Sequence, residues 1–118
     1  MERLSFRAEV AFAPADELLD GVTIAPLTAP TSAGAPLQAA VFRLAPGGCI
    51  VRHPATVPQI LAALEGTGEV SGSDGVAQSI GPGEAVFWEA GEEHETTSAI
   101  GLTALILEGD ALEPYRRL

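Results

Sequence analysis

The sequence contains no lysine, one cysteine and only two histidines. Without lysine, Schiff-base chemistry on a side-chain amine is excluded. A single cysteine, Cys49, excludes an internal disulfide and a multi-cysteine zinc site. It reads as a small buried apolar residue, with Arg52 the one sequence neighbour that bears on a reactive thiolate. Positive charge is scarce too: six arginines face sixteen acidic residues, for a net charge of −10. No basic face for a phosphate backbone can be built from that set, which argues against nucleic acid as a partner. An anionic membrane surface is disfavoured for the same reason. Long apolar runs are missing: Ile60–Leu64 is the longest and Ala104–Leu107 is among the next, and both are far too short to span a bilayer. The N-terminal stretch Met-Glu-Arg-Leu-Ser-Phe-Arg lacks the apolar core of a secretion signal. These absences predict a soluble, cytoplasmic protein. There is also no Gly-x-Ser-x-Gly elbow and no Walker-type phosphate loop.

What is present points to β-structure. Hydrophobic residues make up 47% of 118 positions, enough for one domain, residues 1–118, with a sizeable core. Thirteen glycines and nine prolines punctuate the chain, which suits many short strands better than a few long helices. Residues 14–20 read as a short helical turn and 22–25 as a first strand. The proline-rich stretch 26–36 reads as a loop. Strands are then expected at 37–45, 49–52 (after a turn at Pro46-Gly47-Gly48), 59–65, 69–71, 76–80, 84–88, 94–98 and 101–108. Ser73-Asp74-Gly75 is the turn of a hairpin. Strands of this size and spacing predict an all-β, single-domain antiparallel β-barrel or jelly roll.

The two histidines, His53 and His94, each sit in a segment bounded by glycine and proline: Pro46-Gly47-Gly48-Cys49-Ile50-Val51-Arg52-His53-Pro54-Ala55, and Gly81-Pro82-Gly83 through Gly91-Glu92-Glu93-His94. Alternate residues of a strand share a face, so His53 and Gln59 can both look inward across a barrel. Only one of Phe87 and Trp88 can do so. Glu93 and Glu95 flank His94 and should point away from it. Arg43 and Arg52 are candidates for holding an anion, against an ordinary solvent-facing role.

The spacing of these segments resembles the two motifs of the cupin family, over about residues 37–108. Gly47, five residues, His53, then Ala55, Gln59 and Gly66 match the first motif. Gly83, five residues, Glu89, then Gly91, His94 and Ser98 match the second. The resemblance implies a cupin-like barrel, and by family habit a homodimer, with Phe6–Phe12 and Leu102–Leu107 as candidate contacts. Metal-binding cupins use two His and one Glu of the first motif and one His of the second. Those positions are here His53, Ala55, Gln59 and His94. One imidazole is missing and the carboxylate has become an amide.

Two readings follow. In the first, the chain is a small-molecule-binding cupin with a degenerate metal site of His53, Gln59 and His94, holding Fe, Mn, Ni, Cu or Zn. Family analogy then suggests an oxygenase or isomerase. In the second, it is a metal-free ligand-binding or regulatory module, with the histidines as pocket residues and Gln59 as their hydrogen-bond partner. Ala55 leaves apolar space beside the pair, which suits a small organic ligand in either case.

Overall fold

The computed structural model describes residues 1–29 and 36–116. A short 3₁₀ turn at Ala8–Val10 precedes eight strands: β1 Leu19–Pro26, β2 Gln38–Pro54, β3 Gln59–Gly66, β4 Gly68–Ser71, β5 Gln78–Ile80, β6 Ala85–Trp88, β7 Glu93–Thr97 and β8 Leu102–Glu108. The strand order is β5-β4-β7-β2-β8-β3-β6, with β1 added to β2. Every strand pairing among the described residues is antiparallel. The result is a nearly closed all-β barrel. It remains open between the edges of β5 and β6, where a cleft of about 440 Å³ runs past Trp88. The Trp88 indole N–H spans one end of that cleft, donating to the Ser71 carbonyl at 3.1 Å.

The alternation of apolar residues explains the closure. Leu61 and Ala63 of β3, Leu102, Ala104 and Ile106 of β8, and Leu44 and Ile50 of β2 share one buried cluster with Val70, Ile80 and Trp88. Each Leu, Ile or Val removed from water in this way contributes roughly 1.5–3 kcal/mol. The tight return from β3 needs glycine at position 66: its φ is +77°, and a Cβ there would collide with the Gly101 carbonyl.

Three expectations require correction. Pro46-Gly47-Gly48 bends β2 without ending it, so the two strands expected there are one 17-residue strand. Gly47 takes a φ of +83° at the bend and donates its N–H to the Ser98 carbonyl, while Ser98 N–H donates to Gly48. β1 pairs with both halves of β2, opposite residues 40–44 and 49–50, so one ladder runs through the bend. The turn expected at 14–20 is a single hydrogen-bonded one, Leu19 N–H donating to the Asp16 carbonyl at 3.1 Å, and it does not grow into a helix because strand pairing already begins at Leu19, opposite Ile50. Val76 is not in a strand; the second arm of the hairpin is only Gln78–Ile80. Most of the expected loop at 26–36 lies outside the described residues.

Candidate functional site

His53 and His94 meet. They are direct partners in the β2–β7 ladder, and their ring centroids lie 4.5 Å apart, tilted by 51°. The approach depends on a β-bulge. Ile50 opposes Thr96 and His53 opposes His94, so three steps on β2 match two on β7. Strict alternation would turn His53 away from the face of buried Ile50. The extra residue restores it to that face, a re-aiming that bulges commonly perform. Beyond the ladder, Ala55 N–H donates to Glu92 and Gly91 N–H donates to Ala55, which ties the two segments together again.

The two rings differ in what satisfies them. His53 Nδ1 lies 2.6 Å from the Val51 carbonyl. A carbonyl only accepts, so Nδ1 carries a proton and Nε2 is the nitrogen left to face a ligand. His94 is 2% exposed, and neither of its nitrogens has a hydrogen-bond partner among the described residues. Burial pushes its pKa down to about 4, with the His53 ring and Arg52 adding to that and Glu92 opposing it. His94 is therefore a neutral imidazole at neutral pH. Its other neighbour is the Trp88 ring, at a centroid distance of 4.5 Å. A buried imidazole with two unanswered nitrogens is costly and is the most distinctive feature of the interior.

Gln59 does not serve the histidines as a hydrogen-bond partner. Its amide NH₂ donates to Glu108 Oε2 at 3.1 Å, which turns the carbonyl end Oε1 away from that carboxylate. Across the sheet it opposes Trp88, the residue that packs on His94. Ala55, at the missing ligand position, is 4% exposed. Trp88, not Phe87, is the buried one of that pair. Arg52 is not solvent-facing: it donates to Ser71 Oγ and to the Gly72 carbonyl. Ser98 has a structural task, donating to the Thr67 carbonyl and accepting from Gly101 N–H. Cys49 is half-buried; burial raises its thiol pKa, with Glu95 and Asp20 adding to the rise, so it is a weak nucleophile. Glu108 was missed from sequence. Its signal was present, since it continues the inward positions 102, 104 and 106 of β8.

Neutral imidazoles with open lone pairs are what divalent transition metals take. A backbone carbonyl anchoring the far nitrogen of His53 is the usual support for such a ligand. Two imidazoles bound side by side to one ion, at about 2.1 Å per bond, also have ring centroids close to the observed separation. Against this, no group of three His, Cys, Asp or Glu residues converges among the described residues. The side chains thus offer an ion two imidazoles and, among the described residues, no third His, Cys, Asp or Glu.

A family model described as "Cupin domain" matches residues 40–107. The chain belongs to the cupin family. Solved structures agree on the fold. The polyketide cyclase RemF from Streptomyces resistomycificus superposes with a TM-score of 0.79 at 22% identity, covering 97% of this chain and 82% of its own. An RmlC-like cupin from Shewanella frigidimarina gives 0.73 at 19% identity, with coverage of 96% and 95%. A predicted oxalate decarboxylase from Thermotoga maritima gives 0.65 at 23% identity, with coverage of 73% and 77%. At these identities the likeness concerns the barrel alone. No curated protein matches the sequence. No helix among the described residues is long and apolar enough to cross a membrane.

Proposed function

We propose that this cupin binds a small oxygen-rich organic molecule at His53 and His94, with a divalent transition metal held weakly by the two imidazoles and the carbonyl oxygen of Gln59. The observation that carries this reading is His94, buried and neutral with both nitrogens unanswered. Bound there, the ion would supply Lewis acidity and a template for oxygen donors. The chain's own residues do the rest. Val51 fixes the His53 tautomer, Trp88 holds His94 in place, and Glu108 orients the Gln59 amide. Because no carboxylate joins the ligand set, an anionic or enolisable ligand would balance charge better than a neutral one. The RemF neighbour is a polyketide cyclase, and polyketides present repeated carbonyl oxygens, so a β-diketone is a suitable probe of an oxygenase- or isomerase-type site.

The test is a thermal-shift and elemental series on chelator-stripped, untagged protein. Zn²⁺ or Ni²⁺ should bind at one ion per chain and raise Tm, with acetylacetone adding to the shift. Absence of stoichiometric metal after add-back would remove the metal. The shortage of a third strong ligand favours a second reading, in which His94 hydrogen-bonds an organic ligand directly. Acetylacetone would then raise Tm without any metal and the ions alone would not.

A further inference from the structure

A second polar group is left unanswered, on β2, on the face opposite the one that carries His53. Arg43 is half-buried, and its Nη1 is sealed from water with no hydrogen-bond partner among the described residues. The side chain lines a groove of about 600 Å³ on the outside of the barrel, away from both histidines. The register shows what surrounds it. Arg43 opposes Thr23 of β1 on one side and Thr103 of β8 on the other. Directly opposed residues of an antiparallel pair share a face with Cβ atoms about 5 Å apart. Arg43 is therefore flanked in one row by two hydroxyl-bearing residues. Glu65 opposes Thr103 from β3, which places it two strands, roughly 10 Å, from Arg43. The remaining wall includes Ala13, Pro14 and Leu19.

The geometry points to a binding site for a small monocarboxylate with an apolar tail. A partly desolvated charge without a partner is unfavourable. A planar guanidinium pairs with a carboxylate through two parallel hydrogen bonds, and its charge is delocalised, so an anion on the groove-facing edge neutralises the whole group. The threonine hydroxyls add donors on either side. Apolar walls favour a hydrocarbon tail, and Glu65 at the far end of the row opposes a second negative charge. This selects a monoanion over a phosphate dianion. The site is independent of His53 and His94.

The experiment is calorimetric titration of the whole chain with hexanoate, hexanol and inorganic phosphate. Hexanoate should bind saturably, hexanol and phosphate at least about tenfold more weakly. Arg43→Met should abolish hexanoate binding while leaving Tm unchanged or higher, because an unpaired charge has gone. Thr103→Val, nearly isosteric, should weaken hexanoate severalfold and keeps the test open if the first variant folds poorly. The proposal is overturned if wild-type protein ignores hexanoate, or if Arg43→Met binds it equally well. It is also overturned if Arg43→Met dissociates a dimer seen by sedimentation, since Arg43 would then answer a carboxylate of a second copy.

Discussion

Strand β2 is one strand with two regimes. From Gln38 to the bend it obeys simple alternation: Phe42 and Leu44 pack with the core while Arg43 lies on the opposite face. Past the bend, between Ile50 and His53, a bulge breaks the alternation and brings His53 onto the face of Ile50, against His94. Each half borders polar atoms without partners among the described residues, Arg43 Nη1 on the strand itself and the His94 nitrogens on β7 opposite His53, and they differ in kind. The regular half turns a half-buried guanidinium, its Nη1 sealed from water, toward an outer groove. The bulged half encloses a neutral imidazole. A regular strand distributes groups by parity, whereas a bulge lets the chain collect two from separate segments at one point.

The largest effect should come from removing the support of the bulged half. Trp88 is 2% exposed, packs on His94 and bonds Ser71 across the open side of the barrel. Trp88→Ala should cost about 3–5 kcal/mol in urea unfolding. A loss under 1 kcal/mol would mean that the tryptophan does not hold the two segments in place.

Next is the pH dependence. The folded pKa of His94, about 4, lies below its ordinary value of 6.5. The unfolded chain therefore binds the extra proton first. The stabilisation from keeping His94 neutral is complete above pH 6.5 and is lost as pH falls toward 4, amounting to at most about 3 kcal/mol. His94→Phe should flatten that part of the stability–pH curve. A curve that His94→Phe leaves unchanged would place the titration elsewhere.

The smallest stability effect sharpens the comparison by adding a ligand to the bulged half. Ala55→His fills a buried position and should cost roughly 1–3 kcal/mol of stability from overpacking. In return it should strengthen Zn²⁺ binding at least about tenfold, measured by competition with a chelator. Unchanged affinity would show that position 55 does not face the imidazoles.

The regular features were legible in the sequence. Alternation in Gln59–Glu65 and Leu102–Leu107, glycines at the turns and the spacing of two motifs suffice for an antiparallel barrel and the cupin likeness. The meeting of His53 and His94 was readable from the motif spacing, but not the bulge that achieves it, since an inserted residue leaves no mark on composition. Hydrogen-bond partners were less legible. Gln59 pairs with Glu108, 49 positions away, and Arg52 with Ser71 and Gly72, because those contacts depend on which strands become neighbours. The bend at Gly47 was misread as a break because the turn-forming residues carry no sign that the ladder continues through them.

With only two histidines in the chain, side-chain ¹H–¹⁵N spectra report on the centre without assignment ambiguity. At pH 7, before metal, His94 should be neutral and His53 Nδ1 should bear a proton. On titration with Zn²⁺, one nitrogen of each ring should shift, both saturating together at one ion per chain. Movement of the His53 signals alone, or a charged His94 at pH 7, would contradict a shared centre built from both rings.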